Sequence, residues 1–121
     1  ETTQTIINCW QHGREAEGWA RYWAESYQHI LGQLEAFPEV RKACLLFRYE
    51  DLCSRSASLI DTILAHCELT HNGFESIRTE YISRLSPPDY YDLEFTPGDL
   101  DQIAHHCGPV NEKLSEFCQN P

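Results

Sequence analysis

Lys42-Ala43-Cys44-Leu45-Leu46-Phe47-Arg48-Tyr49-Glu50-Asp51-Leu52-Cys53 is the stretch whose reading decides the fold. Five consecutive apolar residues, Ala43 to Phe47, predict a strand buried on both faces, because a half-exposed strand would alternate with polar residues. After the Arg-Tyr-Glu-Asp-Leu corner, Leu52, Leu59, Ile60, Ile63, Leu64 and Cys67 recur as one apolar face of a helix. Strand, polar corner and helix make the half-unit of an α/β sheet, in which ligands gather at the carboxyl ends of strands. Tyr49 and Glu50 fall at that end, and Asp51 or Ser54 is placed to cap the helix that follows.

Towards the amino terminus, Trp19, Trp23, Tyr27, Ile30, Leu31 and Leu34 keep helical spacing, which predicts a helix from about Glu15 to Leu34, with Trp23 and Tyr27 in the core. Phe37-Pro38 ends it, since the residue before proline avoids the α region. Upstream, Gly13-x-x-x-x-Gly18 has the glycine spacing of a phosphate-binding loop. The second glycine is followed by Trp19-Ala20 instead of Lys and Ser or Thr, and the loop carries Glu15 and Glu17. A loop leading into a helix is the better reading. Thr5 to Asn8 reads as a weak second strand.

Towards the carboxyl terminus, the helix after the corner runs to about Cys67, and Phe74, Ile77, Tyr81 and Ile82 predict a shorter one. Ser86-Pro87-Pro88-Asp89-Tyr90-Tyr91 reads as an extended crossing, because two prolines fix φ and remove donors. Thr96-Pro97-Gly98-Asp99 opens a helix with a threonine cap, proline at the first position and an acid three residues on. Leu100, Ile103, Ala104 and Cys107 form its inner face. Gly108-Pro109 is read as its stop, and Val110, Leu114 and Phe117 as the face of a separate last helix.

The 121 residues, 41% hydrophobic, suffice for a single domain with a modest core. The net charge of −10, with Lys42 and Lys113 the only lysines, disfavours nucleic acid and anionic membranes as partners. No apolar run approaches a membrane span. The chain contains no methionine, and it reads as a processed product or a fragment. Its six cysteines lack Cys-x-x-Cys spacing and several sit at apolar positions, so they read as free thiols of a cytoplasmic protein. His66-Cys67 and His105-His106-Cys107 do not form metal sites, because adjacent helical positions point about 100° apart. No metal ligand is assigned.

The ordered set of features resembles the carboxyl-terminal part of a sulfotransferase that uses 3′-phosphoadenosine 5′-phosphosulfate. The resemblance is carried by the apolar run closing in Arg48-Tyr49-Glu50-Asp51-Leu52, by Leu59-Ile60-x-x-Ile63-Leu64 after it, and by Trp23-Ala24-Glu25-x-Tyr27 before it. Thr96 to Ile103 and then Cys107-Gly108-Pro109 complete it, so that it covers roughly residues 15 to 118. It implies an α/β fragment, predominantly helical, with one strong buried strand and about five helices. Residues 1–121 would form a single partial domain of a P-loop-type parallel-sheet fold. It implies transfer of a sulfuryl group from 3′-phosphoadenosine 5′-phosphosulfate to a hydroxyl or amine acceptor. The phosphate-binding loop and the catalytic base would belong to an amino-terminal part of the same protein, so no catalytic residue is assigned in this chain and the chain alone is expected to be inactive. By resemblance Tyr49 lies near the adenine of the donor. The residues also allow a plain corner role for Tyr49, with its ring on the next helix. The alternative function is a stand-alone helical interaction module that binds a protein partner through the aromatic helix or Tyr90-Tyr91.

Overall fold

The computed structural model describes residues 2–69, 73–87 and 94–118. These residues form helices α1 (Thr2–Gln11), α2 (Glu15–Ala36), α3 (Pro38–Ala43), α4 (Tyr49–Ser54), α5 (Ser56–His66), α6 (Glu75–Arg84) and α7 (Pro97–Phe117), and no strand. The expected α/β fragment with a buried strand in a parallel sheet is therefore corrected to an all-helical fold among the described residues. Lys42 and Ala43 belong to the end of α3, which leaves only residues 44–48 outside helices. A short apolar run fits a buried strand or another buried segment equally well, and only pairing of its backbone with neighbours makes it a strand. No described segment supplies that pairing. Cys44 is exposed, and Leu45, Leu46 and Phe47 are only half-buried. The weak second strand, Thr5 to Asn8, lies within α1.

The chain divides into two compact units, Glu1–Ala43 with Leu93–Phe117, and Cys44–Asp92 with Cys118–Pro121. In the first, α2 is the central element and packs on α1, α3 and α7. The turn from α1 to α2 is a complete Schellman motif: Arg14 N–H donates to Cys9 O at 2.9 Å and Gly13 N–H to Trp10 O at 3.1 Å. Gly13 sits at φ +71°, where a side chain is disfavoured. Gly18 lies under the Trp10 indole, and a Cβ added there would overlap indole Nε1 and Cδ1. Both glycines of the spacing that resembles a phosphate loop thus have structural roles.

The buried apolar residues of this unit are Ile6, Cys9, Ala20, Ala24, Leu31, Leu34, Val110 and Leu114. The aromatic stripe expected to form the core is turned outward: Trp19 is 58% and Tyr27 37% exposed, and Trp23 is half-buried against Tyr27, with ring centroids 4.6 Å apart. Alanines fill the inner face of α2 because α7 approaches it closely there. Cys107 Sγ–H reaches Ala20 O at 3.5 Å, and Arg41, after α2, lies 4.7 Å from the Phe117 ring centroid. The two helices therefore run in the same sense.

The helix α7 also corrects the expected stop at Gly108-Pro109, for it continues through Pro109 to Phe117. An interior proline costs a helix about 3 kcal/mol, and burying Val110 and Leu114 beyond it against α2 returns about 1.5–3 kcal/mol each. The start of α7 is as expected: Asp99 N–H donates to Thr96 Oγ1 at 3.2 Å, and Thr96 N–H donates to Asp99 Oδ2 at 3.0 Å, closing a capping box. The hydrogen bonds from Thr96 hold the Asp99 carboxyl below its ordinary range.

In the second unit the single helix expected after the corner is two, broken at Arg55 with φ −129° and ψ 39°. Neither Asp51 nor Ser54 caps α5. Asp51 pairs with Arg55 at 3.1 Å inside this break, and Ser54 Oγ donates to Asp51 O at 3.4 Å. Arg78 fastens α6 to α5, donating to Asp61 Oδ1 at 2.7 and 3.0 Å and to Ala57 O at 3.0 Å. The α5 helix ends in a second Schellman motif with Leu69 N–H on Leu64 O at 2.9 Å, but the left-handed position, φ 55°, is held by Glu68. A non-glycine residue there carries a cost of roughly 1–2 kcal/mol, part of which returns through the greater freedom of glycine in the unfolded chain. Glu68→Gly is expected to stabilise the chain by about 0.5–1 kcal/mol, read as a higher midpoint in urea at unchanged slope. The expected crossing keeps Ser86 and Pro87 outside helices, whereas Pro88 to Tyr91 lie outside the described residues.

Candidate functional site

The two places where function could reside lie in different units. In the second unit, Arg48 is extended, with φ −85° and ψ 143°, and Tyr49 takes the first position of α4. Tyr49 is 47% exposed, and its hydroxyl donates to Ser86 O at 3.3 Å, across 37 residues of chain. The predicted cofactor-side residue is thus accessible and tethered at a corner. Three arginines of this unit pair with acids: Arg55 with Asp51, Arg78 with Asp61 at 2.7 Å, and Arg84 with Glu80 at 3.7 Å. An exposed aromatic face of this kind can stack on a planar ring. Phosphates need uncommitted donors or a long helix N-terminus, and α4, at six residues, offers no such terminus.

In the first unit, α2 and α7 flank a cleft of about 910 Å³. Its floor is built from the small residues Ala16, Ala20, Ala104 and Gly108, and its walls from Trp19, Trp23, Phe95 and Ile103. Cys107 lies in the floor, where burial pushes its thiol pKa up, which argues against a nucleophilic thiolate. The charged residues that line the cleft are all acidic: Glu15, Glu94 and Asp99. Sequence periodicity missed this cleft because it assigned the aromatic stripe to the core, although the alanines at positions 16, 20 and 24 already marked a face of close approach.

Behind the cleft, Glu17 is 9% exposed and is held by Arg14 Nη1 at 2.9 Å and by Arg21 Nε at 3.0 Å. Burial alone would raise its pKa. The hydrogen bond from Arg21 and the charges of both arginines outweigh burial and hold the carboxyl below its ordinary value of 4.5. The signal was present in the sequence as Arg14-x-x-Glu17-x-x-x-Arg21, the i,i+3 and i,i+4 spacing of helical ion pairs. His106 is half-buried near this cluster, with Nε2 enclosed and without a hydrogen-bond partner among the described residues. Burial first, then the nearby Arg21 and His105, depresses its pKa from 6.5, and Glu17 opposes them. His105 and His106 meet edge to face at 4.8 Å, and no group of three metal-ligating side chains occurs among the described residues. All six cysteines are free thiols.

The described residues define an all-helical protein with an exposed tyrosine corner and an acid-rimmed apolar cleft, and none of their helices is long and apolar enough to cross a membrane. Comparison with protein-family models, with curated proteins and with solved structures gives no match to this chain.

Proposed function

We propose that this chain is the carboxyl-terminal portion of a cytoplasmic enzyme that transfers a sulfuryl group from 3′-phosphoadenosine 5′-phosphosulfate to a hydroxyl or amine acceptor. The observation that carries the reading is the corner itself. The order Arg48-Tyr49-Glu50-Asp51-Leu52 falls where extended backbone enters a helix, with the Tyr49 ring exposed for an adenine and its hydroxyl fixed on Ser86. The order of the remaining motifs supports the same reading: Trp23 to Tyr27 lies on α2 and Thr96 opens α7 through its capping box. The phosphate grip and the base that takes the acceptor proton belong to an amino-terminal part of the same protein. The pairing of Arg55 with Asp51 and of Arg78 with Asp61 agrees with that division of labour. The free thiols suit a reducing compartment.

The test uses the longest natural translation product that contains these residues, assayed for transfer of labelled sulfuryl groups from the donor to phenols, alcohols and amines. Transfer is expected, whereas the 121-residue chain alone neither turns over nor binds 3′,5′-adenosine bisphosphate tightly. Tyr49→Ala in the longer product is expected to raise KM for the donor about tenfold, the loss of about 1.4 kcal/mol of base stacking, with kcat little changed. A longer product that neither binds the bisphosphate nor transfers the group would overturn the reading.

A further inference from the structure

We infer that the cleft between α2 and α7 is a docking site for a basic amphipathic helix of a partner protein. This inference goes beyond sulfuryl transfer and does not depend on it. Two helices that run in the same sense leave a longitudinal groove, and a third helix fills such a groove when small residues let its backbone approach. Ala16, Ala20, Ala104 and Gly108 provide that approach along the floor, and Trp19, Trp23 and Ile103 offer apolar walls for side chains at i, i+3 or i+4, and i+7. The cleft follows α2 from Glu15 to Trp23 and α7 from Asp99 to Asn111. At about 1.5 Å per residue this is on the order of 12–18 Å, two to three turns of a docked helix.

Charge selects the occupant. The cleft lining contains no basic side chain, and neither Glu15 nor Glu94 has an ion-pair or hydrogen-bonding side-chain partner among the described residues, whereas Asp99 is occupied by its cap. Two carboxylates without a side-chain partner among the described residues, in a cleft lined by tryptophans, suit Lys or Arg at the flanks of an apolar helix face, through charge and through cation–π contact. An acidic helix would be repelled. A second copy of the chain brings the same acidic rim and a net charge of −10, and is likewise disfavoured.

The test titrates the 121-residue chain with an 18-residue Leu/Lys amphipathic helical peptide lacking tryptophan, and with its Leu/Glu counterpart, at physiological salt. Tryptophan emission and calorimetry provide the readout. The basic peptide is expected to bind and to shift the emission of Trp19 and Trp23, with the acidic peptide at least tenfold weaker. Ala104→Phe or Ala16→Phe fills the groove without changing charge and is expected to weaken binding at least tenfold, with circular dichroism verifying that each variant is folded. Glu15→Gln with Glu94→Gln is expected to weaken binding about fivefold and to reduce its salt dependence. Equal binding by both filled variants would show that diffuse surface charge holds the peptide, and would overturn the inference. So would equal affinity for the two peptides, or self-association of the chain that the filled variants abolish.

Discussion

Gly18→Val is expected to lower the stability of the chain by about 2 kcal/mol, in the range measured for inserting extra carbons into a packed site. The position is buried in the middle of α2, and its Cβ would occupy the space of the Trp10 indole. Replacing glycine inside a helix normally gains about 0.5–1 kcal/mol, so the sign depends on whether the indole can move aside. It has little room. Trp10 lies 4.8 Å from Trp19 between ring centroids, and Cys9, the neighbouring residue, is 1% exposed. Displacing the ring therefore breaks the seat of α1 on α2 as well as the aromatic pair. Thermal melting should show a midpoint lower by several degrees. The double variant with Trp10→Ala should recover much of the loss relative to Trp10→Ala alone, since the clash is gone. A midpoint unchanged or raised by Gly18→Val would show that α1 is not docked in this way.

Glu17→Gln is expected to cost about 2 kcal/mol near neutral pH, the scale of hydrogen bonds to a charged group, because it removes the anion that two arginines enclose. Arg14 and Arg21 remain partly exposed, at 54% and 34% of their side chains, so water can solvate them and the loss stays below that of a fully buried pair. The pH dependence follows from the direction of the shift. A carboxyl whose folded pKa lies below its ordinary 4.5 contributes stability that is complete above that value and is lost as pH falls through the folded pKa. The difference between the natural chain and Glu17→Gln should be constant from pH 8 to 6.5, should widen below 6.5 because the Glu17 charge no longer supports the His106 imidazolium, and should close as pH falls below 4.5. His106 adds an earlier step: its folded pKa lies below 6.5, so its neutral form contributes stability that fades as pH drops below 6.5. Urea titrations at a series of pH values should show both steps in the natural chain, with only the upper one in Glu17→Gln. A constant difference down to pH 3 would exclude the paired carboxylate as its source.

Much of the local structure was legible in the sequence because its causes are local. The amphipathic period fixed α2 and α5, Thr96-Pro97-Gly98-Asp99 fixed the start of α7 through its own capping box, and Phe37-Pro38 fixed the end of α2. The misreadings share one cause, the assumption that a local signal overrides packing. Pro109 looked like a stop, but Val110 and Leu114 find α2 beyond it. The apolar run at residues 43–47 looked like a strand, yet no described backbone pairs with it. The aromatic stripe looked like core, whereas close approach of α7 favours the alanines and leaves the rings at the cleft.

For the candidate sites the division is similar. Tyr49 was visible at the corner as a residue type in a pattern, but its tether to Ser86 joins positions 37 residues apart and no local rule could supply it. The sequence by itself determined α2, the capping box that opens α7 and the acidic balance, since each depends on residues within a turn, on one amphipathic period or on composition alone. Only the tertiary structure decided that the opening stretch forms no strand, that the Glu17 carboxylate is buried while its two arginines stay partly exposed, and that α2 and α7 leave a cleft with an acidic rim. Those outcomes depend on which distant segments come together to exclude water, and spacing along one chain does not contain that information.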